Sequence, residues 1–513
     1  MNGAESLVHT LLASGITTCF ANPGTSEMHF VAALDRVPGM RCILGLTESV
    51  VTGAADGFGR MNGSPAVTLL HCGPGLANGL SNLHNARRAK TSILNIVGDQ
   101  ASYHRPLDPA LTADTEGWAR GVSAWTRTAT SAATIGRDAA VAIQAARTSP
   151  GQIATLIAPA DTCWEDGGIV AEMLRPPDPT QVAPHRVTEI ARLLRGSEPC
   201  FILMSGSALR SGALADAYRI AHATGAKIMA QVFNGRVERG QGRAPIERLM
   251  YGVDQAIATL AGSKHIILVG AEAPVAPFAY PNKPGRLYPE DATIHVFARP
   301  EQDMPAALAA LADELSAPKV DLPPVAKRAD PVRSGGINAD AVTQTLAALM
   351  PENSIIVDES VSFGRPFFNG LAGAAPHDWL QLTGGAIGSG IPMATGAAVA
   401  APDRRVINLQ ADGSGMFTVQ GLWTQARENL PVTTVVLSNR KYGILLGELA
   451  NVGANPGRTA MDMLDIGRPD INWVGLANSM GVEAARAGNM EEFTKLFETA
   501  NSKKGPFLIE LMT

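Results

Sequence analysis

Asp412 stands at the end of an apolar run, Val406-Ile-Asn-Leu-Gln-Ala411, and is followed by Gly413-Ser414-Gly415. This pattern predicts a buried strand that delivers a carboxylate to the C-terminal edge of a parallel sheet. The small residues after it let backbone N–H groups and the next helix N-terminus approach a phosphate. A carboxylate among phosphates needs a cation between them, so Asp412 reads as a Mg²⁺ ligand. A second apolar run, residues 433–437, ends in Ser438-Asn439-Arg440-Lys441-Tyr442-Gly443. Neighbouring parallel strands end on the same side of their sheet, which lets Asn439 face the same ion. Asp412, Asn439, a backbone carbonyl such as that of Lys441, a water and two diphosphate oxygens make the hard-oxygen set that Mg²⁺ takes. The plain alternative for the same residue types is a strand-turn-helix-strand unit, with Asp412 as a helix cap and Asn439 in a turn.

Glu48 is the second chemical feature. It follows the apolar run at residues 42–46 and opens a helix-length segment at 49–61. A carboxylate buried there is costly unless it has a fixed partner; an ordinary helix-start acid favoured by the dipole is the alternative.

The stretch from Val406 to Gly443 resembles the thiamine-diphosphate motif, which opens with Gly-Asp-Gly and closes after the next strand with Asn-Asn. It departs from that motif at Ala411 and Ser438. Residues 48–59, ESVVTGAADGFG, and 65–79, from Pro65 through His71 to Asn78 and Gly79, resemble the pyrimidine-side segment of the acetolactate synthase and benzoylformate decarboxylase family. The likeness implies that Glu48 hydrogen-bonds the pyrimidine ring nitrogen and favours the imino tautomer that removes the thiazolium proton. It also implies that Asn78, Gly413, Ser414 and Tyr442 border the cofactor and that Ser362 touches its diphosphate. In Thr383-Gly-Gly385-Ala-Ile387-Gly388, the Gly385 carbonyl would accept the pyrimidine amino group and Ile387 would wedge between the rings. The metal set is then Asp412, Asn439 and the Lys441 carbonyl.

By the same resemblance, Thr25 matches the serine that holds a substrate carboxylate, His71 a proton-relay histidine, and Leu445 a pocket leucine. Glu448 stands where an aromatic would line an aryl site, and residues 277–280 occupy the place of a second pocket histidine. These departures point to a substrate smaller or more polar than benzoylformate. The implied chemistry is attack on the ketone of a 2-oxo acid and decarboxylation to an enamine. Carboligation then follows, as in acetolactate synthase, or protonation, as in benzoylformate decarboxylase. The competing readings are a catalytically silent thiamine-binding regulatory subunit and a nucleotide- or flavin-binding oxidoreductase. The latter would need a strand-linked GxGxxG that the sequence lacks. FAD in the central part of the chain is open by analogy with acetolactate synthases, but a structural role is preferred because no phosphate-cradling glycine loop is visible there.

Such residues need sheets to position them. At 513 residues the chain is too long for one core. Three stretches alternate short β-branched runs with helical patterns, which predicts an α/β protein of three doubly wound parallel-sheet domains. The resemblance labels them pyrimidine-binding (1–175), central (185–320) and diphosphate-binding (337–513). Strands are expected at 17–21, 42–45, 66–70, 92–97 and 153–157, then at 200–204, 227–231, 265–269 and 293–297, and last at 354–357, 406–410, 433–437 and 507–511. Pro176, Pro177 and Pro179, and the four prolines between residues 316 and 336, interrupt the pattern.

The composition is 46% hydrophobic and 17% charged, which suits a globular chain. A net charge of -5 gives no broad cationic surface for nucleic acid or anionic membrane. The five cysteines are scattered without CxxC spacing, which suits reduced, mostly buried thiols. No run approaches the roughly 18 apolar residues of a membrane span, and the first residues lack a leader pattern, so the expectation is cytoplasmic. The family likeness implies a homodimer at minimum and a homotetramer by preference, with Glu48 of one chain meeting Asp412 of another.

Overall fold

The computed structural model describes residues 1–513. The first sheet holds β1 (Thr18–Asn22), β2 (Arg41–Leu44), β3 (Ala66–Leu70), β4 (Ile93–Asp99), β5 (Trp125–Thr128) and β6 (Ile153–Pro159), all parallel, in the order β2-β1-β3-β4-β6-β5. The central stretch contributes β7 (Cys200–Met204), β8 (Lys227–Ala230), β9 (Val237–Arg239), β10 (Glu247–Arg248), β11 (His265–Val269) and β12 (Thr293–Ala298). All of these except β9 form a parallel sheet ordered β10-β8-β7-β11-β12. The third sheet contains β13 (Ser354–Glu359), β14 (His377–Gln381), β15 (Val406–Ala411), β16 (Val432–Ser438), β17 (Glu483–Ala487) and β18 (Phe507–Met512), ordered β17-β18-β16-β15-β13-β14-β9. Its inner strands β13, β15 and β16 are buried almost end to end, as parallel strands covered on both faces must be. No helix is long and apolar enough to cross a membrane.

Five strands depart from the sequence expectation, among them β10, two residues at the edge of the central sheet. β5 and β17 are partly exposed edge strands and so carry no apolar run. β14, His-Asp-Trp-Leu-Gln, is fully buried yet polar. Its Asp378 is held by Arg236 and Arg404, its His377 by the Ala375 carbonyl, and its Gln381 donates to the Val232 carbonyl. β9 lies within the central stretch but pairs antiparallel with β14, Val237 opposite Trp379. The third sheet is therefore parallel apart from one short lent strand, too brief to read from periodicity.

Two helices fasten the first sheet to the third. Helix α1 (Glu48–Asn62) follows β2, and a helix at Gly390–Ala400 precedes β15. Gly53, Gly57 and Gly59 within α1 would each weaken an isolated helix by about 1 kcal/mol relative to Ala. Their use is close approach: a Cβ on Gly57 would overlap the Met393 carbonyl, and one on Gly396 would overlap the Ala54 carbonyl. The two helices thus cross backbone against backbone. The core around the crossing is continuous, with Phe20 and Leu70 of the first sheet sharing a cluster with Ile355 and Val406 of the third. At the far end of α1, Arg60 forms a buried pair with Asp56 at 2.6 Å and donates to the carbonyls of Gln381 (2.7 Å) and Gly235 (3.2 Å). One guanidinium therefore ties together parts of all three stretches.

Gly396→Ala is expected to lower the stability of the purified chain by about 1–3 kcal/mol in urea denaturation, because a backbone carbonyl cannot yield to the methyl group. Gly212→Ala, in a helix where nothing lies within 4 Å of the added carbon, should leave stability unchanged or raise it by up to about 1 kcal/mol. Equal effects at the two positions would refute the close crossing.

Candidate active site

In an open α/β sheet, ligands bind beyond the strand C-termini where the strand order reverses. The first sheet reverses between β1 and β3, and the third between β13 and β15. At the first reversal lie Thr25, which follows β1, and His71, which follows β3; Glu48 follows the adjacent β2. At the second lie Ser362 after β13 and Asp412 after β15, with Asn439 after the adjacent β16. The reversal in the central sheet, between β7 and β11, is closed by the protein itself. Met304, buried there, packs against Gly206 and so close to Gly270 that a Cβ on either glycine would meet its side chain.

The β15 and β16 ends are in register through Ala411 opposite Leu437, which brings Asp412 beside the Asn439 turn. Arg440 sits at φ 57°, and this left-handed turn aims its N–H at Asp412 Oδ2, 2.6 Å away. Gly413 donates its N–H to Asp412 Oδ1 at 2.8 Å. Burial raises the Asp412 carboxyl above its ordinary range, opposed by these backbone donors. Each carboxylate oxygen keeps a second lone pair for a cation. The Asn439 amide oxygen accepts the Lys441 N–H at 3.1 Å, and the Lys441 carbonyl accepts Gly443 N–H at 2.9 Å. Gly443 borders both Asn439 and Ser362, at 3.1 and 3.4 Å from where its Cβ would be, and Gly413 leaves room for the Tyr442 ring. The donor set is all hard oxygen, and the absence of side chains at Gly413 and Gly443 keeps it open to a diphosphate, so these residues fit Mg²⁺ and a phosphate-bearing cofactor. The Ser414 hydroxyl is spent internally, taking the Gln410 amide at 2.7 Å and donating to the Ala411 carbonyl, and its own carbonyl accepts the Met416 N–H.

The loop carrying Gly385 (φ 79°), half-exposed Ile387 and Gly388 (φ 95°) is held from both sides. Behind it, Glu359 at the end of β13 is completely buried and accepts the N–H groups of Gly388 (2.7 Å), Ser389 (3.2 Å) and Gly390 (2.7 Å) and the Gln410 amide (2.9 Å). Burial raises its carboxyl above the usual range, against those donors. In front, the helix Cys72–Ala89 presents Asn85, which exchanges hydrogen bonds with Ala386, and Asn82, which donates to the carbonyls of Ser49 (2.8 Å) and Gly388 (3.3 Å). The start of α1 and the loop are thereby pinned to one asparagine. Val361, just before Ser362, has φ 51°, strained for a β-branched residue and located where such strain gathers.

Glu48 is 7% exposed, and its Oε2 accepts the Asn78 amide at 3.1 Å. No cation pairs with it, and no hydrogen bond joins it to the residues after β13, β15 or β16 of its own chain. A Cβ on Gly75 would stand 2.7 Å from its Oε1, so the glycine keeps that oxygen clear. His71 Nδ1 lies 2.8 Å from Glu27 Oε2. Glu27 is buried and accepts the Gly24 N–H (2.7 Å) and the Ser26 hydroxyl (2.5 Å). With Glu27 accepting, the imidazole proton belongs on Nδ1 and Nε2 is left as a free acceptor. Thr25 is exposed beside this dyad. Glu27, His71 and Cys72 come within 4.8 Å of one another, and burial pushes the Cys72 thiol up to about 11. Leu445 is 42% exposed, and Glu448 accepts the Tyr280 hydroxyl at 2.8 Å.

Glu27 and Glu359 are the residues that sequence reasoning passed over. The signal for Glu359 was present as two acids, Asp358-Glu359, closing an apolar run; for Glu27 it was an acid three residues after a Pro-Gly turn. Neither spacing names its partner, since His71 and Gly388 are distant in sequence.

Residues 1–119 match the family described as thiamine pyrophosphate enzyme, N-terminal TPP binding domain, and residues 370–511 its C-terminal TPP binding domain. IlvX of Mycobacterium tuberculosis (strain ATCC 25618 / H37Rv), which carries the name of an acetolactate synthase large subunit, is 50% identical, covering 100% of this chain and 99% of that one. Benzoylformate decarboxylase of Pseudomonas aeruginosa is 28% identical over 97% of this chain and 96% of its own. The solved structure of Rhodococcus jostii RHA1 thiamine diphosphate-dependent 4-hydroxybenzoylformate decarboxylase superposes with a TM-score of 0.86 at 25% identity, covering 100% of this chain and 99% of that one. With thiamine-pyrophosphate-binding parts matching both halves of the site and a full-length relative at half identity, the chain belongs to the thiamine pyrophosphate enzyme family, in the group of acetolactate synthases and benzoylformate decarboxylases.

Proposed function

We propose that this protein is a Mg²⁺- and thiamine-diphosphate-dependent carbon-carbon lyase or ligase acting on a 2-oxo acid. The observation that carries the reading is Glu48: a buried carboxylate at the head of a helix, without a cation, held by one neutral amide and with Oε1 kept clear by Gly75. Burying such a group is costly unless a ligand supplies the missing hydrogen-bond partner.

Asp412, Asn439 and the Lys441 carbonyl would hold Mg²⁺, and Ser362, Gly413, the Ser414 backbone and Tyr442 would border the diphosphate. Gly385 and Ile387 would receive the bend of the cofactor, with Asn78 beside its pyrimidine. When bound, thiamine diphosphate supplies a nucleophilic carbon and a sink for the electron pair left by a departing carboxylate. Glu48 Oε1 holds a proton at the pyrimidine ring nitrogen. Thr25 orients the substrate carboxylate through its hydroxyl. His71 Nε2 exchanges a proton at the substrate carbonyl oxygen while Glu27 fixes the ring through Nδ1. Leu445 and Glu448 would wall the side-chain end of the cleft. The helix Gly443–Asn451 supports an assembly of at least two chains, because it carries Ile444, Leu445, Leu446 and Leu449 and none of its residues is buried in the single chain. A homodimer, pairing into a homotetramer, would cover it and bring the partner's Glu48 to the Asp412 side.

Supplying pyruvate, benzoylformate and short 2-oxo acids with thiamine diphosphate and Mg²⁺ should release CO₂ with an aldehyde or an acyloin, and the identity of that product separates decarboxylase from carboligase. Glu48→Gln should reduce turnover by about a hundredfold or more with cofactor affinity by calorimetry nearly intact; undiminished activity would remove the proton-holding role. Asp412→Ala, or chelation of Mg²⁺ from the natural chain, should instead weaken cofactor binding at least about tenfold, roughly the loss of one charge-assisted contact. Unchanged affinity in that variant would contradict the clamp.

A further inference from the structure

Tyr280 belongs to the central stretch, in the loop between β11 and β12, yet its hydroxyl reaches across to Glu448 Oε2 at 2.8 Å. It is 7% exposed. Glu448 lies on the helix Gly443–Asn451, five residues beyond Gly443 and so about 8 Å along the axis from the point where Gly443 borders Asn439 and Ser362. Leu445 and Glu448, three apart, share a face of that helix. Tyr251, packed edge-on against Phe233 with ring centroids 6.2 Å apart, is the next group around the pair. Burial, and then the carboxylate, lift the Tyr280 phenol well above the ordinary tyrosine range, so it remains protonated and keeps donating to Glu448. No lysine or arginine pairs with this carboxylate.

A phenol whose only proton is committed to a carboxylate has nothing left to donate. What the pair offers a third group is an acceptor, Glu448 Oε1, together with one negative charge, since the Tyr251 hydroxyl stands against the phenol oxygen. An aliphatic or aryl group pressed there leaves that acceptor unsatisfied, and a second carboxylate meets like charge. A hydroxyl or other donor satisfies it.

We propose that the Tyr280–Glu448 pair is the specificity-determining wall of the substrate cleft, admitting a 2-oxo acid whose side chain ends in a hydrogen-bond donor and excluding one that ends in a second carboxylate. The inference rests on the 2-oxo acid reading given above. The pair sets a polar filter beside Leu445, and it does so with a residue from each of two stretches of the chain.

The test compares kcat/KM for hydroxypyruvate, its near-isostere 2-oxobutyrate and the dicarboxylic 2-oxoglutarate in the natural chain loaded with thiamine diphosphate and Mg²⁺, and in Glu448→Gln and Tyr280→Phe. The natural chain should prefer hydroxypyruvate over 2-oxobutyrate by about tenfold to a hundredfold, the range for a hydrogen bond to a charged group, and should leave 2-oxoglutarate nearly untouched. Glu448→Gln should collapse the first preference and raise 2-oxoglutarate turnover at least about tenfold relative to 2-oxobutyrate by removing the repelling charge. Tyr280→Phe, which keeps the ring packing, should narrow the hydroxypyruvate preference. A natural chain without these preferences, variants that keep them, or variants that lose all three substrates in proportion, as a mere fastening of two stretches would, overturn the proposal. If cofactor binds by calorimetry but the natural chain consumes no 2-oxo acid at all, the underlying reaction is wrong, an outcome separate from turnover without discrimination.

Discussion

The site depends on a crossing of two helices so close that their backbones touch. Gly53, Gly57 and Gly396 permit it, and it fixes where α1 and the helix Gly390–Ala400 begin. Glu48 is the first residue of one and Gly390 the first of the other, so a packing contact in the interior sets two chemically useful helix N-termini. Around it, Asn82 joins Ser49 to Gly388, and Arg60 locks the opposite end of α1 to the third sheet. Larger residues at the crossing would move Glu48 and the loop carrying Gly385 and Ile387 apart without touching either.

A second regularity is electrostatic. Glu27, Glu48, Glu359 and Asp412 are all nearly inaccessible, and no lysine or arginine pairs with any of them. Glu359 and Asp412 are satisfied chiefly by backbone N–H groups, Glu27 by an N–H, a hydroxyl and an imidazole, and Glu48 by one amide. Burying a carboxylate without a cationic partner costs stability, which these hydrogen-bond donors offset. The four serve different ends. Glu359 shapes a loop, Glu27 orients a histidine, Asp412 faces a candidate cation and Glu48 keeps one oxygen free. That division of labour explains why a 17% charged chain invests so many acids in its interior.

Much of this was legible in the residues. The apolar runs before Asp412 and Asn439 mark buried parallel strands because such strands carry no polar face, and β15 and β16 are where those runs lie. The spacing of Gly, Asp and Asn placed both oxygen donors at one sheet edge. What was not legible depends on tertiary partners. β14 hides as a polar segment because its charges are neutralised by arginines remote in sequence. β9 is three residues long and joins the sheet of another stretch. Glu27 gains its significance from the pairing of β1 with β3, which sets it against His71. Glu448, read as a departure from an aromatic wall, takes its meaning from Tyr280, a residue 168 positions away.

The most direct measurement is a structure of the purified protein with thiamine diphosphate and Mg²⁺ bound. The metal is expected between Asp412 and Asn439, the diphosphate beside Gly413 and Ser362, and the partner's Glu48 within hydrogen-bond distance of the pyrimidine nitrogen. Cofactor bound in another crevice, or Glu48 and Asp412 remote from each other in every pairing of subunits, would contradict this arrangement.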